Sequence, residues 1–186
     1  MLNFLWRFLQ PVNTGLRSFR CETMVRMNED LWGIYLNDHL AGSVAGYELA
    51  KRCRANNAGT PLGNYLGALV AEIEEDRRAL EEVMDRLGVR RNPAKHAGGW
   101  VLERMGRLKL NGRLFGYSDL SRVEELEGLT IGVAAKLSLW RNLEAIARVD
   151  ERLVTAPIEE VIQRSEGQLR ALHEHRLEAA RIAFGG

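Results

Sequence analysis

The chain has few of the residues that staple small folds or break helices. Of its 186 residues only two are cysteine, Cys21 and Cys53, with no C-x-x-C spacing and no histidine beside either. They read as free thiols of a reducing, cytoplasmic compartment. Four residues are proline and 7% are aromatic, while Leu, Ala, Glu and Arg fill the long segments, a helix-forming composition. Charge of one sign is not in excess: the formal charge of +1 gives no global reason for nucleic acid or an acidic partner. No stretch approaches the ~18 uncharged apolar residues of a membrane span. G-x-x-x-x-G-K-[ST], G-x-S-x-G and H-E-x-x-H are all missing, which removes the usual mononucleotide-loop, hydrolase and zincin readings.

What is present is one domain's length, with 46% hydrophobic and 27% charged residues, enough for a sizeable core in a soluble protein. Residues 1–28 form an N-terminal extension. Its apolar cluster (Leu2, Phe4, Leu5, Trp6, Phe8, Leu9) is cut by Arg7 and stopped by Pro11, too short for a signal-peptide core and too interrupted for a span. It is expected as a packed or loosely attached extension, or as a translated leader before a start at Met24 or Met27.

Residues 29–184 read as four long helices. The first covers about 29–54, with Leu36, Leu40, Val44, Tyr47 and Ala50 at helical spacing. The second opens with Thr60 as N-cap and Pro61 at the first helical position, and closes at Gly88. A short helix near 95–110 and a loop at 111–117 follow. The third long helix starts near Ser118, with Ser121 and Glu124 in capping-box spacing, and runs to about Val149. The fourth follows Thr155 and Pro157 and ends near Ala183. Short connections make the first and second pairs antiparallel hairpins. About thirty residues between the second and third helices suffice to travel the bundle's length.

On these helix numbers, lengths and the long crossover, the chain from about Leu31 to Ala183 resembles the ferritin-like superfamily. The resemblance implies an all-α fold, a ferritin-like four-helix bundle with a short crossover helix and an N-terminal extension, and it makes a homodimer plausible. It also implies a di-iron or di-manganese centre built from two Glu and two Glu-x-x-His motifs. Here the second helix has Glu72-Ile73-Glu74-Glu75, with Glu where His belongs, and the fourth has Glu166-Gly167-Gln168-Leu169. Neither Glu-x-x-His is present.

Helical phase at about 100° per residue sorts the acidic run AEIEEDRRALEE at 71–82. Glu74, Glu75 and Glu81 face solvent and Glu72 lies at the boundary. Asp76 interrupts the apolar series Leu62, Leu66, Leu69, Ile73, Leu80. The same phasing turns His39, Ser165, Gln168 and Arg176 inward, sets Glu127 at an edge, and leaves His173 and His175 at opposite margins. Aligned midpoints place His39, Asp76 and Gln168 (with Ser165) at one depth, and Glu127 with Arg176 at another. The first layer is either a buried His–Asp hydrogen bond or a metal or proton-transfer site. The second reads as an interior ion pair. The third helix is apolar nearly all round, which suggests a second buried side, and the Gly42–Gly46 pair would let a second subunit approach.

The expected function is a non-catalytic binding or structural role without a complete di-iron centre, with two rivals from other classes. One is a metal-binding oxidoreductase or storage protein using iron or manganese at His39, Asp76, Glu72 and Glu127. The other is a phosphate or nucleic-acid module using the crossover cations (Arg86, Arg90, Arg91, Lys95, Arg104, Arg107, Lys109, Arg113), against which stands that Trp100, Phe115 and Tyr117 are not regularly interleaved.

Overall fold

The computed structural model describes residues 28–92 and 117–185. The expected extension through Met27, Cys21, the crossover helix at 95–110 and most of the crossover cations lie outside the described residues. Among those described, the fold is all-helical: α1 spans Glu29–Asn56, α2 Pro61–Arg86, α3 Asp119–Ala147 and α4 Ile158–Phe184, with a 3-10 turn at Glu151–Leu153 before α4.

The helix ends follow local chemistry. Thr60 Oγ1 accepts the Gly63 N–H at 3.1 Å, satisfying one of the donors left over at the start of α2. Asn28 Oδ1 accepts from Leu31 N at 3.2 Å at the start of α1. The cap of α3 is Ser118, whose Oγ accepts from Ser121 N at 3.2 Å. Ser121 therefore sits inside the first turn, and its hydroxyl is 2.9 Å from that of Ser118. At the end of α2, Val89 N donates to Met84 O at 2.8 Å and Gly88 N to Asp85 O at 3.1 Å. Gly88 has a φ of +71°, so this is the paired terminator that a left-handed glycine permits. The tight α1–α2 turn needs a second glycine: a Cβ at Gly63 would stand 2.2 Å from Asn57 O.

α1 packs against α2 and α3, and α4 against α3 and, more lightly, α2. Arg52 meets Glu125, and Tyr35 meets Asn142, so α1 and α3 are antiparallel. Glu72 with Gln168 and Tyr65 with His175 give the same sense for α2 and α4. α2 and α3 therefore run parallel, on a diagonal, so the end of α2 and the start of α3 lie at opposite ends of the bundle. Two buried asparagines, one in α1 and one at its C-cap, hold both described ends of the α2–α3 connection. Asn37 donates to Arg90 O at 3.0 Å and accepts from Asn92 N at 2.7 Å. Asn57 donates to the Tyr117 hydroxyl at 2.9 Å.

The interior forms two apolar clusters. One surrounds Leu36, Leu40, Met84, Trp140 and Leu143, and the other Leu49, Leu66, Leu69, Leu126 and Leu172. Burial of such side chains contributes about 1.5–3 kcal/mol each. Buried Asp76, Ser165 and Gln168 belong to neither cluster; they lie between them. The expected second buried side of α3 is not buried within the chain, since Ile131 is 61% exposed. No helix among the described residues is long and apolar enough to cross a membrane.

Candidate functional site

The polar layer arises because three apolar stripes are interrupted at one level. In α2 the series Leu69, Ile73, Leu80 is broken by Asp76. In α3 the series Leu129, Val133, Trp140, Leu143 is broken by Lys136. In α4 Ser165 and Gln168 stand between Ile162 and Leu172. Each interruption keeps the four–three spacing that points side chains at the bundle axis, so the polar groups meet.

Lys136 Nζ donates to Asp76 Oδ2 and, at 2.6 Å, to Gln168 Oε1. The Gln168 amide then donates from Nε2 to Glu72 Oε2 at 2.7 Å. Arg164 of α4 brings Nε to 3.5 Å from Asp76 Oδ1, pairs also with Glu75, and reaches Glu160 at 2.7 Å. Asp76 is only 3% exposed and Gln168 4%. Asp76 Oδ1 is buried and accepts no hydrogen bond, so the carboxylate depends on charge attraction on that side. Burial pushes the Asp76 carboxyl up from its ordinary range and the Lys136 ammonium down, against the attraction of each for the other. Tyr65 closes the layer on the α2–α4 side. Its hydroxyl lies 3.3 Å from Gln168 O, and burial, then the Glu72 carboxylate, raises its pKa.

The residues singled out from sequence do not all come together. Asp76, Gln168 and Glu72 share this layer, with Ser165 buried beside them and its hydroxyl donated to Val161 O at 2.6 Å. His39 does not face Asp76. Its ring packs edge-on against Tyr35, with centroids 4.6 Å apart, and burial lowers its pKa while Asp38 partly offsets the shift. The partner of Asp76 is instead a lysine on the diagonal helix. Glu127 and Arg176 approach to 3.9 Å, but Glu127 is 52% exposed at its side chain, so the pair is a surface contact and not an interior one. His173 is exposed, 3.3 Å from Arg176 through Nδ1, and His175 lies against Tyr65.

Sequence reasoning missed Lys136, although the signal was there: it takes an apolar place in the α3 series. It also missed a second buried network at the C-terminal end of α1. There Asn57, 4% exposed, donates to Cys53 O at 2.7 Å and to Tyr117, and accepts from Arg122 Nε at 2.9 Å. Alongside, Arg52 Nε is 2.8 Å from the buried Glu125 carboxylate. The Cys53 thiol is pushed up to about 12, by burial first and then by Glu125, so it stays protonated at neutral pH and is a poor nucleophile.

The fit to a metal centre is poor. Among the described residues no group of three or more His, Cys, Asp or Glu converges as a metal would require. Asp76 already holds an ammonium, and the neighbouring guanidinium of Arg164 adds a second positive charge. A divalent cation at Asp76 would have to displace Lys136 and bear the repulsion of Arg164. A cavity of about 510 Å³ lies elsewhere, at the α1–α2 turn, among Lys51, Arg54, Gly59, Gly63 and Asn64. None of the layer's residues lines it. No family model matches this chain, and comparison with curated proteins and with solved structures finds no match.

Proposed function

We propose that the chain is a divergent ferritin-like bundle with a binding or structural role, acting as a homodimer, in which a lysine ammonium does the work of an interior cation. Support for the fold reading comes from connectivity. Neighbouring helices are antiparallel, α2 and α3 are parallel across the diagonal, and a long connection joins them; ferritin-like bundles with one crossover are wired in this way. The observation that carries the functional reading is the contact of Lys136 Nζ with Asp76 and Gln168. The mid-bundle acids that would compose a carboxylate metal site already have cationic or amide partners, and His39 is turned to Tyr35. A buried ion set of this kind fixes which helix faces meet, because any other register leaves a charge unpaired in the core.

Elemental analysis of protein purified without chelator tests the reading. Iron, manganese and zinc are expected well below one equivalent, with no gain on adding iron(II) or manganese(II) followed by desalting. Retention of a stoichiometric metal that disappears in Asp76→Ala would overturn it in favour of a metal-dependent bundle.

A further inference from the structure

The outward faces of α2, α3 and α4 differ in kind along their middles, while the start of α1 exposes Leu31 and Ile34 and the end of α4 exposes Ile182 and Phe184. The face of α2 carries Glu75, Arg78 and Glu82, and that of α4 carries Gln163, Arg170 and Glu174, as solvated faces do. The outward face of α3 carries Ile131, Ala135, Ser138 and Ala145, with Val149 just past its end, all exposed and none charged; exposed Asn142 beside them donates to the Tyr35 hydroxyl of α1. Ile131 is 61% exposed and Val149 62%. At four- and three-residue steps these side chains form one stripe about five turns long. Charges of opposite sign stand at its two ends, and exposed Arg141, paired with Glu166 of α4, flanks its middle. Glu127 lies one turn before Ile131, and Arg148 lies beside Val149.

We propose that this stripe is where a second copy of the chain docks, with the two α3 helices antiparallel about a two-fold axis near Ser138. This deepens the homodimer named above and rests on it. The two-fold arrangement follows from the charges. An antiparallel copy centred at Ser138 brings Ile131 opposite Ala145 of its partner and Glu127 opposite Arg148 and Val149, at both ends of the contact. A parallel copy would set Glu127 against Glu127 and Arg148 against Arg148. An isologous contact of this kind is self-complementary and closes at two subunits. Alanine and serine along the centre permit helix axes at the short end of the ~8–10 Å packing range. Ile131, a large apolar residue 61% exposed among the described residues, supplies the apolar anchor.

Sedimentation velocity and light scattering on the full chain test the proposal. The wild type is expected to be a dimer at micromolar concentration, and Ile131→Glu and Ala135→Arg each a monomer with unchanged helical circular dichroism. Glu127→Arg is expected to raise the dissociation constant about fivefold, and the exchange Glu127→Arg with Arg148→Glu to restore it. In a Cys21→Ser background, Ser138→Cys places its sulfur on the axis and is expected to oxidise to a covalent dimer, since Cα atoms within ~7 Å can be bridged; Glu174→Cys on α4 is not. A monomeric wild type would overturn both the dimer and the face. A dimer that Ile131→Glu and Ala135→Arg leave intact would overturn the face alone.

Discussion

Two of the buried polar networks among the described residues are built on different principles. The one at the end of α1 centres on a neutral amide. Asn57 caps its helix, holds Tyr117 and takes the Arg122 guanidinium, all at 2.7–2.9 Å, and it joins residues where the chain has to turn. The mid-bundle network centres on opposite charges. Asp76, Lys136 and Arg164 come from three helices, far apart in sequence, and meet between two apolar clusters where no turn requires them. The amide network answers a local need, because the backbone groups at a helix end must be satisfied. The ionic layer answers a global one. Taking charges out of water offsets much of their attraction, so its return lies in specifying register more than in added stability.

Breaking the ionic layer on one side has the largest expected effect. Lys136→Met takes from Asp76, which is 3% exposed, its hydrogen-bonded ammonium and leaves it the longer Arg164 contact, and should cost about 3–5 kcal/mol of unfolding free energy, measured by urea denaturation followed by circular dichroism. The amide network should yield less. Asn57→Ala removes a neutral amide, leaving the Tyr117 hydroxyl without its donor and the Arg122 guanidinium without that acceptor, a cost of about 1–3 kcal/mol in the same assay. If Asn57→Ala proved the more damaging, the contrast between a charged and a neutral layer would have no energetic content.

Cys53, at the edge of the amide network, gives a pH-dependent test. Its thiol titrates at about 12 when folded against 9.0 as the ordinary value. The unfolded chain therefore releases this proton first, and the stability the thiol contributes below pH ~9 is lost as pH rises toward ~12. The urea midpoint should fall between pH 8 and pH 10, and fall less in Cys53→Ala; an identical fall in both would show that the thiol is not shielded. The smallest effect belongs to the surface. Glu127→Gln removes one partner of a 3.9 Å, half-exposed pair and should change the stability of the subunit by less than about 1 kcal/mol.

Much of this was legible in the residues, for physical reasons that also mark where legibility ends. Thr60-Pro61 and Gly88 announce the ends of α2 because side-chain capping and a positive φ are local requirements. Asp76 betrays itself by standing where an apolar residue belongs. Lys136 does the same in α3, but a helix with apolar residues on nearly every side hides which stripe faces inward, and a lysine there reads as solvated. His39 misled for the opposite reason. Around it α1 carries Ala41, Gly42, Ala45 and Gly46, whose small side chains leave the inward direction poorly marked, and the ring turns to Tyr35. The pairings across helices (Asp76 with Lys136, Asn57 with Arg122, Asn37 with Asn92) depend on how helices distant in sequence are set side by side. Periodicity within one helix carries no information about that.

The most direct test of an ammonium serving as interior cation is a double-mutant cycle on its central pair. Asp76→Leu and Lys136→Met are made singly and together, and unfolding free energies are compared. Each single variant should be destabilised by several kcal/mol, because Asp76 keeps only the 3.5 Å Arg164 contact in one and Lys136 only the Gln168 amide oxygen in the other, and the double variant should return to within about 1 kcal/mol of wild type or exceed it. Losses that simply add in the double variant would contradict the account, since the two charges would then have no bond with each other to lose.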